Sequence, residues 1–211
     1  MDISLLSDLF DKRREQREKK LKDFFNPQGG TRFLVLPRVV NGVFTSCSGI
    51  DEIFRRNCEY LETHLKLELC DDLPYLEPWI GVGVYATAFG SAYNWNTGGA
   101  PDTHCIYRSV EEIRKLPVPD WRKSPIMGMV LDTIDFMKDK TGGRIPICLT
   151  DTQSAQDTAT LILDTTEFFT ACYTEPELIH GFLRSINDLI IEFSGIQIDH
   201  IGEALWAKPG H

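Results

Sequence analysis

Apolar and polar positions along the chain change period in the manner of alternating helices and short strands. Ile3, Leu6, Leu9 and Phe10, then a charged middle, then Leu21, Phe24 and Phe25 predict one long opening helix, stopped by Asn26-Pro27-Gln28-Gly29-Gly30. Residues 33–36 (FLVL) form a continuous apolar run of buried-strand length, closed by Pro37 and Arg38. A second helix carries the stripe Ile50, Ile53, Phe54, Leu61, Leu65 and Leu69, with Asp51 and Glu52 where the helix dipole favours negative charge. Residues 79–90 (WIGVGVYATAFG) predict a strand feeding a glycine loop, and 104–108 (HCIYR) another short strand.

Ser124-Pro125 is a cap followed by a first-turn proline. Met127, Val130, Leu131, Ile134 and Met137 continue that helix to Thr141-Gly142-Gly143. Residues 145–149 (IPICL) predict a buried strand, followed by a polar loop and a helix with Ser154 and Asp157 in capping-box positions. After Thr174-Glu175-Pro176-Glu177, a wide stripe from Leu178 to Phe193 predicts the strongest helix, closed by Gly195. Residues 196–202 (IQIDHIG) predict a last strand, and Glu203 to His211 a loop-like tail. Short apolar strands between amphipathic helices imply parallel pairing and an α/β class with four to five strands. No repeat, low-complexity stretch or linker divides the chain.

Composition narrows the partners. Apolar residues make up 42% and charged residues 25%, which is globular rather than disordered. The net charge of -9 excludes general attraction to nucleic acid or anionic membranes. It is uneven, however: residues 12–22 (KRREQREKKLK) hold seven bases and two acids. Glu15 and Glu18 interrupt that run and no aromatic residue interleaves, so a solvated helix face is favoured over a nucleic-acid arm. The six cysteines lack C-x-x-C spacing and predict free thiols. With no signal peptide and no apolar run of membrane-spanning length, a cytoplasmic location is expected.

Functional groups in α/β proteins gather at the C-terminal edges of strands. That rule selects Arg38, Thr87 and Phe89, then Asp151 with Gln153, and finally His200. Asp151, just beyond a buried strand, serves either the mouth of the sheet or the neighbouring helix N-terminus. Arg38 can hold a carboxylate by a bidentate pair or form a structural ion pair. His200, between Asp199 and Glu203, suits acid-base work, half of a metal site, or a hydrogen-bonded surface role. No G-x-x-x-x-G-K, G-x-S-x-G or H-E-x-x-H occurs, which removes P-loop, α/β-hydrolase and zincin chemistry. The GVGVYA stretch lacks the rest of a dinucleotide fingerprint.

The segments IPICLTDTQSAQDTATLIL and FFTACYTEPELIHGFLRSINDLI, preceded by VGVYATAFGS and followed by IDHIGE, resemble the uroporphyrinogen decarboxylase superfamily over roughly residues 30–211. The resemblance implies a helical extension over 1–30 and, over 31–211, the N-terminal part of a TIM (β/α)₈ barrel. A closed barrel usually needs about 250 residues, so 211 suggest a truncated one. The resemblance further implies an enzyme acting on a tetrapyrrole. One branch decarboxylates porphyrinogen acetate side chains without a cofactor, with Arg38 on a substrate carboxylate and Asp151 facing the macrocycle. The other is a corrinoid:thiol methyltransferase using zinc, in which Asp151, Gln153 and His200 line the cavity; the T-D-T-Q loop is typical of that side. Thr87 and Phe89 join either set as substrate contacts. Two family positions differ here: the central aspartate aligns with Gly81, and the family tyrosine falls near Leu161. A third expectation is a non-catalytic partial barrel that self-associates, as a homodimer, through exposed strand edges.

Overall fold

The structure, a computed structural model, describes residues 2–37, 44–116 and 118–206. Arg38 and the tail beyond Trp206 lie outside the described residues. Among those residues the protein is mostly helical: α1 (Ile3–Phe25), α2 (Ile50–Leu65), α3 (Val110–Ile113), α4 (Pro125–Thr141), α5 (Ala155–Ile162), α6 (Thr165–Thr174) and α7 (Pro176–Ile201). The predicted caps are in place. Ser124 Oγ accepts from the Met127 N–H at the start of α4, and Ser154 Oγ accepts from Asp157 at the start of α5.

Extended structure is scarce but organised. Ile147 pairs in parallel with Leu76 on one side and Leu205 on the other. The Leu76 N–H donates to Pro146 at 2.8 Å and Cys148 donates back to Leu76 at 3.0 Å. On the far side Ile147 donates to Ala204 and Trp206 to Ile147, both at 2.8 Å. Three parallel segments, centred on a fully buried Ile147, thus form the sheet-like heart of the fold. Helices α4 and α7 supply the returns between them, as parallel pairing requires. A two-residue antiparallel pair, β1 (Tyr93–Asn94) with β2 (Asp102–Thr103), stands apart.

Several strand expectations need correction. Residues 33–36 form no strand ladder among the described residues; Val35 instead exchanges hydrogen bonds with Asp71, through its own carbonyl and through the Asp71 carboxylate. Residues 79–85 turn rather than extend, because Gly81 takes φ 120°, and a 3₁₀ turn follows over Tyr85–Phe89. A Cβ at Gly81 would collide with the Tyr93 hydroxyl and Pro101, so only glycine fits there. Residues 104–108 contribute a single bridge, Tyr107 to Leu163. The 196–202 segment is helical: α7 continues past Gly195 because Phe193, Gln197 and Ile201 recur every fourth residue and are all buried. It stops at Gly202, whose positive φ of 62° breaks the helix.

Two apolar clusters fill the interior. The larger joins α1, α2, α4, the three parallel segments and the C-terminal half of α7; the smaller joins α5, α6 and the N-terminal half of α7. At 26 residues, α7 extends about 39 Å and ties one cluster to the other. Leu6, Phe10 and Leu21 place α1 inside the larger cluster.

Candidate functional site

Parallel segments share a common C-terminal edge, and here that edge carries Trp79 after Leu76 and Thr150 to Gln153 after Ile147. The Asp151 carboxylate is the focus. One oxygen accepts from the Trp79 indole N–H at 3.4 Å, and the other from the Gln153 side-chain amide at 3.0 Å. Trp79 is buried, with the Phe44 ring edge-on at 5.2 Å. An ionised carboxylate offers about four acceptor positions, so two neutral donors leave Asp151 able to accept from a ligand.

The loop beneath is held at several points. The Thr150 N–H donates to the Gln197 side-chain carbonyl at 2.8 Å, and the Thr150 hydroxyl donates to Pro78 O at 2.9 Å, linking adjacent segments. Thr152 lies 3.4 Å from the Tyr85 hydroxyl. Gln197 is fully buried, and its amide nitrogen has no hydrogen-bond partner. Tyr93 donates to Ile80 O, one residue before Gly81. Burial, then the charges of Asp102 and Asp151, push its hydroxyl pKa well above the usual tyrosine range. The Asp151 charge is therefore felt at the turn around Gly81.

The structure brings Asp151 and Gln153 together with Thr150 of the same strand-end loop and adds Trp79 and Gln197, which the sequence does not single out. The signal for Gln197 was present: a polar side chain midway between Phe193 and Ile201 in an apolar stripe. Thr87 instead accepts or donates at 2.5 Å with Ser124, the cap of α4, and Phe89 packs edge-on against Phe182 of α7 at 6.1 Å. His200 sits in the last turn of α7, its Nδ1 3.2 Å from both Asp135 oxygens on α4, while Lys138 donates to its carbonyl. This pairing lies in the helical layer, apart from Asp151. Among the described residues no three His, Cys, Asp or Glu side chains come together as metal ligands do. No helix is long and apolar enough to cross a membrane.

The uroporphyrinogen decarboxylase (URO-D) family model matches residues 80–206, which include Asp151, Gln153 and Gln197. The chain belongs to the URO-D family. No curated protein matches it at comparable strength. Among solved structures, a methyltransferase from Methanosarcina mazei is similar with a TM-score of 0.61 at 17% identity, covering 89% of this chain and 56% of that one. The chain thus spans little more than half of the structure it matches, and at that identity the likeness concerns the fold. The URO-D match ends at Trp206, on the third parallel segment, so the family region takes in two of the three segments and the α7 return between them.

Proposed function

We propose that the protein is a URO-D superfamily enzyme whose three parallel segments are consecutive strands of a TIM barrel, and that it binds a tetrapyrrole over Trp79 and Asp151. The observation that carries this reading is the Asp151 carboxylate, fixed at the strand ends beside the turn at Gly81, the position that the resemblance aligns with the family's central aspartate. A carboxylate from the neighbouring segment then stands in for the missing one.

In the decarboxylase form of the reading, the substrate's pyrrole N–H groups donate to Asp151. Protonation of the ring carbon next to the one that bears an acetate arm puts positive charge on the pyrrole nitrogen. The bond to the carboxylate carbon then breaks, carbon dioxide leaves, and the electron pair neutralises the ring. Protonation of the exocyclic carbon yields a methyl group, and loss of the proton first added to the ring restores the pyrrole. A fixed carboxylate favours the cationic intermediate more than the neutral substrate, which is what lowers a barrier. Arg38 would hold a second carboxylate of the substrate.

The methyltransferase form is favoured by the fold likeness to the Methanosarcina enzyme and by Gln153 at the loop. The described residues offer no zinc ligand set for it, and its metal would come from other residues. Both forms are tested with the same protein. Uroporphyrinogen under reducing conditions should lose carbon dioxide, seen as stepwise loss of carboxyl groups by mass spectrometry, and Asp151→Asn should reduce the rate by about 10²-fold or more. In a parallel arm, methylcobamide, thiol and zinc are supplied. Turnover in neither arm, or turnover that Asp151→Asn leaves intact, removes the assignment.

A further inference from the structure

We propose that the groove between the basic run of α1 and residues 66–72 is a binding site for a phosphoryl dianion. It lies at the opposite end of the parallel segments from Asp151, since residues 66–72 lead into the first of them, and it stands independently of the function proposed above.

The groove has a volume of about 570 Å³. Arg13, Arg17 and Lys20 recur at four- and three-residue spacing, so they share one face of α1, and Lys19 and Lys22 border it. Arg17 is only 4% exposed. Its guanidinium donates to the carbonyls of Asp72 at 2.8 Å and Leu67 at 3.1 Å, but among the described residues it makes no carboxylate ion pair. Arg13 is close enough to repel it, and the Arg13 Nε is buried without a hydrogen-bond partner. Two guanidinium groups turned into one groove, one of them with an unused buried donor, are unfavourable unless an anion completes them.

Two of the three acids in the groove are already engaged. Asp71 accepts from Lys20 at 2.7 Å and from the Val35 N–H at 2.8 Å, and Asp23 accepts from the Thr31 N–H at 2.6 Å. With Glu68 they make three acids against five bases among the lining side chains, an excess of base in a chain of net charge -9, although Lys22 also lies 3.9 Å from Glu18 of α1. A phosphoryl group carries nearly two negative charges and three acceptor oxygens, so it can engage both guanidinium groups and a neighbouring ammonium together, where a single carboxylate offers two oxygens. Guanidinium forks suit such oxygens. Exposed Phe33 and Leu69 adjoin the groove and give room for an organic substituent.

The test is calorimetric titration of the purified protein with inorganic phosphate and, separately, phenyl phosphate, in 150 mM sodium chloride. Saturable binding is expected. Arg13→Gln and Lys19→Gln should each weaken it about tenfold, the loss of one charge-assisted contact. Lys12→Gln, the same charge change outside the groove, should leave it within about twofold. Arg17 is kept because it anchors the 66–72 segment. Tighter binding of phenyl phosphate identifies a phosphomonoester as the ligand, and equal binding identifies the free anion. Absence of saturable binding of either probe, or equal weakening by Lys12→Gln and Arg13→Gln, overturns the proposal.

Discussion

The two ends of the three parallel segments are built from different materials. At the C-terminal end, Trp79, Asp151, Gln153 and Gln197 form a polar network around one carboxylate, with neutral donors and a single charge. At the N-terminal end, Leu73, Pro146 and Ala204 meet Phe10 and Leu21 of α1 across an open groove of about 510 Å³. Arg144 there reaches Asp8 and Asp11 on the exposed side of the helix. This groove is thus not where the proposed reaction chemistry lies. Hydrophobic burial is non-directional and secures α1 whatever the fine geometry, whereas a carboxylate is useful only when its oxygens are fixed. One end holds the fold together, and the other holds a group in place.

Substitutions at each end should separate those roles. Phe10→Ala, at a fully buried α1 position, should cost about 3–5 kcal/mol, because a large cavity opens where α1 meets the core. Urea unfolding measures that loss, while the folded fraction should keep the proposed turnover per molecule. Gln197→Ala should cost less, about 1–3 kcal/mol, by leaving the Thr150 N–H buried without an acceptor. Its effect on turnover should exceed that of Phe10→Ala, since the loop carrying Asp151 loses a support. Equal loss of turnover in the two variants would show that the ends are not separable.

This division also explains what was legible in the sequence. The helices followed from local rules: Ser124-Pro125, Ser154 with Asp157, and Gly142 mark ends that the chain sets by itself. The extended segments depend on partners far away. Leu76 lies between Pro74 and Pro78, which disguises it, and Ala204 to Trp206 is too short to show a period. Residues 196–202 show Ile196 and Ile198 two apart, as in a strand, yet the buried contacts of Phe193, Gln197 and Ile201 hold them in α7. Asp151 and Gln153 stand out in the sequence because they closely follow an apolar strand. Trp79 and Gln197 were missed because their place depends on which segments pair. The basic run was expected to be solvated, but Arg17 lies seven residues after Phe10 and four before Leu21, on the buried face.

The smallest predicted effect concerns acid. His64 is fully buried near Arg17 and Cys70, at the end held by α1. Burial first, and then the Arg17 charge, lower its pKa below the ordinary 6.5. The unfolded chain therefore takes up this proton before the folded one, and stability must fall as the pH drops from about 6.5 toward the folded value. Asp71 acts lower on the scale. Burial opposes its ionisation, but the Lys20 ammonium and the Val35 N–H outweigh that and hold its carboxyl below the ordinary 3.8. Its contribution is present above that ordinary value and is lost as pH falls through the folded one. Urea midpoints measured from pH 7.5 to 3 should decline in two stages. His64→Gln should flatten the upper stage, and Asp71→Asn the lower one. If His64→Gln leaves the upper stage unchanged, the titrating group lies elsewhere, and the acid sensitivity does not belong to the end that α1 closes.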